Sequence, residues 1–509
     1  MPFLSLDLGS SELKFAVYDM DGSCLSSVTI ELEGAQIQGC RAELDPEPFW
    51  QTVCTGISVV CRDLRSPLQG AAISSHGESF VPLDKQGIAI GTILLNIDSR
   101  ASAEMAEFAA GFGESSIYSR TGLPGHPMYP LPKIAWIRKN QPDVFQRTAR
   151  FVCLEDYILS RLGLEPVISS PLASRTMALD IRSNTWAEEL LSFAGISSSQ
   201  LSRVAPSGTA VGVAAPHIAA QMGLPAGVVW STAGHDQVCA SLGAGVQGEG
   251  TLADGTGTFE CVSALLDAPL LSETSMAANL PCERHAMPDK FLTLAYIPGC
   301  IALKWLRDNW VLSSSQQPGT SGQSAYSSML ANLPREPTGL FFFPYLLGTG
   351  TPWLGSDTRA TIWGLTGNTT RQDIVKAAIE GVSFEMRWNL EIFSQVGIRK
   401  DRILAVGGGA KSDTWLQLKA DIFECPVIAV PGEASSRGAA ICAAMGVGSF
   451  SNWNEAISAM VKPGRVFEPR PAMQRQYQEL FQQYKELACR IYDHRFPLHG
   501  CNQETGASV

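Results

Sequence analysis

One carboxylate stands out as a candidate for acid–base chemistry. In the stretch Val228–Leu242 an apolar run ends in Ala-Gly-His-Asp-Gln, and helix-forming residues follow. That pattern puts Asp236 at the carboxyl end of a strand and beside a helix N-terminus, where open α/β sheets bind their ligands. A carboxylate so placed can take a proton from a substrate hydroxyl. Asp is also a favoured helix N-cap, so this stretch alone leaves a capping role open. Glycine-rich turns add a second kind of chemistry, the holding of phosphate. Asp7-Leu-Gly-Ser-Ser11 joins two strand-like runs, Phe3–Asp7 and Lys14–Asp19, and would present backbone N–H groups and two hydroxyls. Asp254-Gly-Thr-Gly257 repeats the device in the second half. Two such turns, one per half, suggest a duplicated unit clamping one phosphate chain from two sides. A third loop, Gly407-Gly-Gly-Ala-Lys-Ser412, lies between a buried strand and a helix. Ala410 stands where a P-loop needs glycine, so a Walker cradle is not expected. The glycines still allow backbone to approach a flat ring or a phosphate closely. Gly243-Ala-Gly-Val-Gln-Gly248 fits the letters of a dinucleotide fingerprint. That motif needs a strand before it and a helix after it; here the order is reversed, and the segment reads as a hinge.

Composition sets the frame for these sites. A chain of 509 residues exceeds one hydrophobic core. With 45% apolar and 17% charged residues it is a well-cored globular protein. Its net charge of -11 argues against nucleic acid or an acidic membrane as the main partner. The N-terminus lacks the basic region and apolar core of a signal peptide, and no apolar run reaches membrane-spanning length. Thirteen scattered cysteines without a CxxC pair suit free thiols in a reducing cytoplasm. Cys282 and His285 are close in sequence, but nothing near them completes a metal-ligand set.

The elements that must position these residues follow from local signals. Asp45-Pro46 caps and opens a helix expected to run to about Leu64. Ala71–Ser75 reads as a strand leading into His76-Gly77-Glu78, and Ile93–Ile97 as another leading into Asp98-Ser-Arg100. Together they suggest one polar rim; the alternative for Asp98 and Arg100 is a surface ion pair of little energetic weight. A Pro-rich loop at Met128 becomes helical at Lys133. Phe151–Leu162 is predicted as helix. Ser169–Asp180 is predicted as a polar loop, with Ser174-Arg175 at a cleft. Arg371–Phe393 is predicted as a long amphipathic helix and Pro471–Phe496 as a closing one, before a loose tail.

Two longer patterns carry a resemblance. The first is Met128-x-Pro130-x-x-Lys133-Ile134-x-Trp136-Ile137-x-Lys139-Asn140. The second is Ala360-x-Ile362-x-Gly364-Leu365, then seven residues, then Asp373-Ile374-x-x-Ala377-Ala378-Ile379-Glu380. Both signatures of the FGGY carbohydrate kinases are filled at every constrained position, and the chain resembles that family from Asp7 to about Met445. The resemblance implies an α/β fold of two actin-like, ribonuclease H-like domains with a cleft between them. The expected bounds are 1–244 for the sugar-binding domain, 245–485 for the ATP-binding domain and 486–509 for a tail. It implies ATP and Mg²⁺ as cofactors, a small sugar or polyol as acceptor, a cytoplasmic location and a homodimer.

Residue by residue, the resemblance makes Asp236 the catalytic base. Asp7, with Asp236, would hold Mg²⁺. Gly9, Ser10, Ser11 and Lys14 would face the terminal phosphates; Ser stands where relatives usually carry Thr. Gly255, Thr256 and Gly257 match the second phosphate loop, and Gly408, Gly409, Ala410 and Ser412 the adenosine loop. The acceptor would lie against His76, Gly77, Glu78, Asp98, Arg100, Met128, His235, Asp236 and Gln237. Glu78 falls where glycerol kinases carry a hydroxyl-binding Glu and xylulokinases a His. Gly77 and Met128 replace the Arg and Tyr of glycerol kinases. His235 is similar to fuculokinases and rhamnulokinases, which act on deoxy-ketoses. A small ketose or polyol phosphorylated on a primary hydroxyl is therefore the expected acceptor. The alternatives are glycerol, an acid sugar, or a non-catalytic sugar or nucleotide sensor on the same fold. Gly348–Pro352 lacks a Glu-Arg pair that many relatives carry there.

Overall fold

A computed structural model describes residues 1–492 apart from 65, 258, 312–325, 327, 328 and 356. Two mixed sheets dominate it. The first has six strands in the order Ala210–Val213, Val229–His235, Gly70–Ser75, Phe3–Leu8, Glu12–Tyr18 and Cys24–Glu31. Phe3–Leu8 pairs antiparallel with Glu12–Tyr18 and parallel with Gly70–Ser75. Gly70–Ser75 pairs parallel with Val229–His235. The carboxyl ends of three parallel strands therefore lie side by side, at Leu8, Ser75 and His235. The expected turn at Gly9, the His76–Glu78 loop and Asp236 leave the sheet along one edge.

The second sheet repeats this core. Thr251–Thr256 forms a hairpin with Glu260–Leu266 and pairs parallel with Arg402–Gly407, with Thr256 opposite Gly407. The second glycine turn and the Gly407–Ser412 loop thus leave their sheet together, as the turn at Gly9 and the His76 loop do in the first.

Two helices fill the space between the sheets. Asp236–Ala244 follows the Val229–His235 strand, and Ala434–Gly446 comes from the second half. They cross at two glycines. A Cβ on Gly243 would lie 1.9 Å from the Ala434 carbonyl oxygen, and one on Gly438 would lie 1.9 Å from that of Cys239. Side chains from both sheets, among them Phe3, Tyr18, Leu404 and Val406, share one apolar cluster with these helices. The halves are joined by core, since burying such a layer removes apolar area from water.

Local signals held where the chemistry is short-range. Asp45 accepts the Glu47 N–H and the helix runs Pro46–Cys61. The helix expected from Lys133 starts earlier, at Pro130, because proline suits the first helical position. Other expectations are corrected. Phe151–Leu162 is not all helix: Arg150–Cys153 is a strand paired with Phe80–Leu83, and helix begins at Leu154. The loop expected at Ser169–Asp180 holds a fully buried helix, Ser170–Ser174. The closing helix spans Pro471–Tyr492 with Ala488 in the second core, so a boundary at 485 would cut it. Its expected extension to Phe496 and the loose tail lie outside the described residues. Cys282, on a strand, and His285, just beyond it, are both buried. Among the described residues no helix is long and apolar enough to cross a membrane.

Candidate functional site

Asp236 is the first residue of its helix, not the N-cap; that position belongs to His235, whose side chain makes no cap bond. The capping role left open by the sequence is thereby removed. The Asp236 side chain is 24% exposed, and Asp236 Oδ1 lies 3.3 Å from His235 Nε2. His235 is itself buried, with Nδ1 3.0 Å from both carboxylate oxygens of Glu283. Burial pushes the Asp236 pKa up to about 6; His235 pulls it down, while Asp7, Glu78 and Glu283 add to the rise. Burial opposes charge on His235, but Glu283 and Asp236 outweigh it and the imidazole pKa is raised.

Asp7 lies near the end of Phe3–Leu8, separated from the Val229–His235 strand by Gly70–Ser75, and faces the same region. Its Oδ1 accepts from Ser74 Oγ at 3.0 Å and from Ser435 Oγ at 2.8 Å. Ser435 lies on the second-half helix, so this carboxylate is held by both halves. Burial raises its pKa, against the two hydroxyls and Lys14. Lys14 Nζ pairs at 2.8 Å with Glu433 Oε2, again across the halves. Ser10 and Ser11 are exposed on the turn.

The His76–Glu78 loop builds the adjoining wall. His76 is buried and satisfied internally, with Nδ1 2.9 Å from the Leu8 oxygen and Nε2 2.7 Å from Ser79 Oγ. It shapes the loop and presents no free ring nitrogen, which corrects its expected contact with the acceptor. Glu78 holds a positive φ of 64°, a conformation that costs energy for a residue with a side chain. Two groups hold it there. Arg175 Nε donates to Glu78 Oε1 at 2.6 Å, and Lys133 Nζ donates to its carbonyl at 3.1 Å. Burial raises the Glu78 pKa, but Arg175 prevails and the carboxyl titrates below its ordinary value. Burial also lowers Lys133 to about 7. Arg175 leans over the space that a Gly77 side chain would take, with its Cβ and Cγ 3.1 Å from that position. Its Nη1 is a buried donor without a partner. Met128 and Gln237 are both partly exposed.

Asp98 and Arg100 depart from expectation. They form a buried pair, Arg100 Nη2 to Asp98 Oδ2 at 2.7 Å, with Asp98 also accepting the Ala42 N–H at 2.7 Å. Arg100 reaches Glu43 Oε1 at 2.5 Å and covers the Trp136 ring. Asp98 has no exposed surface. Their place is behind the rim as a brace, neither a surface pair nor a surface open to an acceptor.

On the second sheet, Gly255 is half-buried and Gly257 exposed, so the turn offers backbone. The Thr256 hydroxyl is turned inward and donates to the Val406 oxygen at 2.8 Å, which corrects its side chain as a phosphate donor. Gly408, Gly409 and Ala410 form an accessible loop, and Ser412 caps the next helix by accepting the Trp415 N–H. The Ser412 hydroxyl thus accepts a helix N–H, and its own hydrogen remains available to a ligand. Lys419, Asp254 and Glu260 form a buried charge cluster beneath the turn.

Arg175, Glu283, Ser74 and Ser435 thus join the site without having been named as its parts. Ser174-Arg175 carried a hint as a cleft segment. Glu283 carried none, since its partner lies 48 residues away. Among the described residues no group of three or more His, Cys, Asp or Glu forms a preformed metal site. Two partly paired carboxylates, Asp7 and Asp236, in a region that also holds Glu78 and Glu283, do suit a divalent cation completed by water and phosphate oxygens, the usual setting for Mg²⁺.

Two mixed sheets built alike, each carrying a glycine turn and joined through two central helices, make a two-domain α/β fold. Residues 3–243 match the N-terminal domain, and residues 255–447 the C-terminal domain, of the FGGY family of carbohydrate kinases. The chain belongs to that family and is a carbohydrate kinase. It is 26% identical over 499 residues to a xylulose kinase of Bacillus subtilis, covering 96% of this chain and 97% of that one. It is 28% identical over 469 residues to a gluconokinase of the same species, covering 90% of each. The fold matches the ligand-bound xylulose kinase of Lactobacillus acidophilus with a TM-score of 0.86 at 22% identity, covering 97% of this chain and 99% of that one.

Proposed function

We propose that this kinase transfers the γ-phosphoryl group of ATP to a primary hydroxyl of a small, uncharged ketose or polyol, with Asp236 as general base. The observation that carries this reading is the place of Asp236. It stands where three strand ends converge, partly exposed, with a raised pKa. A base titrating near the working pH is efficient in proton transfer. Glu78 and the unpartnered Arg175 Nη1 supply an acceptor and a donor beside it for sugar hydroxyls. Immediately around Asp236 three carboxylates, Asp7, Glu78 and Glu283, face one imidazole, His235, which disfavours a further negative charge on the acceptor beside the base. The glycine turns at Gly9–Ser11 and Gly255–Gly257 and the Gly408–Ala410 loop would hold the nucleotide through backbone groups. Asp7 and Asp236 would hold Mg²⁺, which would supply neutralisation of charge on the phosphate oxygens. Closing the cleft excludes water from the transfer. A cytoplasmic setting, where ATP is supplied, belongs to the same proposal.

ATP turnover against a panel of xylulose, a deoxy-ketose, glycerol and gluconate tests the acceptor class. A ketose or polyol should give the highest kcat/KM, and gluconate the lowest; gluconate as the best acceptor would overturn the class. The pH profile follows from Asp236. A base must be ionised, and its raised pKa keeps it protonated below about pH 6. With that acceptor, kcat/KM should fall about tenfold per unit below this value and level off above pH 7. A profile flat down to pH 5 would contradict it. Asp7→Asn should raise the Mg²⁺ concentration for half-maximal rate by about tenfold, the size of effect expected for altered metal-site partners. An unchanged Mg²⁺ titration would remove Asp7 from that role.

A further inference from the structure

The geometry assigns Glu283 as a positioning residue that holds the proposed base in register through His235. This rests on the reading of Asp236 as base. Glu283 lies on the short edge strand Cys282–Arg284 of the second sheet, and its side chain is 1% exposed. That strand is fastened to the first half. The Cys282 N–H donates to the Gly122 oxygen at 2.7 Å, the Arg284 N–H to Ser174 Oγ at 3.1 Å, and Arg284 Nε to the Ile181 oxygen at 2.7 Å. Glu283 therefore enters the wall of the first half's site from the other half's sheet.

Its carboxylate straddles His235 Nδ1, with both oxygens at 3.0 Å. The far ring nitrogen, Nε2, lies 3.3 Å from Asp236 Oδ1. Among the described residues the Asp236 carboxylate has no other hydrogen-bond or ion-pair partner. Glu283, His235 and Asp236 thus form one row, with the imidazole hydrogen-bonded to Glu283 through Nδ1 and in ion-pair contact with Asp236 through Nε2. A base oriented by a third group is a recurring arrangement in catalysis, because the nearer partner alone does not fix the geometry. Here the third group anchors the ring that aims the carboxylate. Asp7, Glu78 and Arg175 are the other charged groups facing this row. None of them is in hydrogen-bond or ion-pair contact with the Asp236 carboxylate, so none replaces the imidazole as its orienter.

Misplacing a reacting group by about 1 Å can cost about a hundredfold in rate. Glu283→Ala should lower kcat by about thirtyfold, with KM for ATP and for the best acceptor of the panel within twofold. Glu283→Gln keeps an acceptor oxygen for Nδ1–H and should recover most of that loss. His235→Ala combined with Glu283→Ala should be no slower than His235→Ala alone, because residues acting as a unit are not additive. Thermal melting of each variant separates misfolding from misplacement. A kcat within twofold of the parent in Glu283→Ala, a loss seen in KM alone, no recovery in Glu283→Gln, or multiplying losses in the double variant would overturn the inference. If no acceptor in the panel turns over, crystal structures decide: Asp236 should shift away from His235 Nε2 in Glu283→Ala, and an unmoved carboxylate would overturn it. An inactive Asp236→Asn beside a normal Glu283→Ala defeats only this inference; an active Asp236→Asn defeats the base reading itself.

Discussion

Replacing Asp236 by Asn is expected to lower kcat by about a thousandfold while leaving KM for ATP within about twofold. The size follows from what a positioned base contributes, about a hundredfold to ten-thousandfold. Asn keeps the shape and cannot take the proton. The fold should survive, because the carboxylate's neighbour among the described residues is one imidazole at 3.3 Å and its side chain is 24% exposed. ATP binding should survive as well, since the nucleotide would be held through the backbone of the glycine turns. Steady-state kinetics and a nucleotide-binding titration on the same preparation check both halves of the statement. Retention of a tenth or more of the parent's kcat would mean that another group removes the proton.

The second large effect is structural. Gly438→Val should destabilise the protein by about 3 kcal/mol or more, the upper range for overpacking, and should lower kcat as well. Even a methyl at Gly438 would lie 1.9 Å from the Cys239 oxygen, so the two central helices would have to separate. One of them starts at Asp236 and the other carries Ser435, which holds Asp7. Separation would therefore disturb both carboxylates at once. Gly248→Ala is the matching control, because an added Cβ there meets nothing within 4 Å. It should change the denaturation midpoint little. Equal midpoints for the two variants would show that the helices do not pivot at Gly438.

Much of this arrangement was legible in the chain because it is encoded over short distances. A strand followed by a glycine turn at Asp7–Ser11, and again at Asp254–Gly257, announces the two hairpins within a few residues. The two signature patterns span 13 and 21 positions and bind the reading to one family. What escaped is encoded across the fold. Asp98 and Arg100 read as an acceptor-binding rim, or else a surface pair, because Ala42 and Glu43, which cover them, are more than 50 residues away. Arg175 seemed part of a polar loop, yet its charge is matched by Glu78 at a separation of 97 residues. Thr256 and Ser412 have the residue type of phosphate or adenosine contacts, and the structure turns the Thr256 hydroxyl to a backbone oxygen and sets the Ser412 oxygen against a helix N–H. Residue type told which chemistry was possible, and only packing decided which hydroxyls were already engaged.

The arrangement around the base is best tested by a crystal structure of the closed protein with a non-hydrolysable ATP analogue, Mg²⁺ and the best acceptor of the panel. The account expects the Asp236 carboxylate about 2.6–3.2 Å from the acceptor's primary hydroxyl, with that hydroxyl facing the terminal phosphorus. An Asp236 turned into packed protein, or separated from the hydroxyl by more than one bridging water in the closed form, would contradict it.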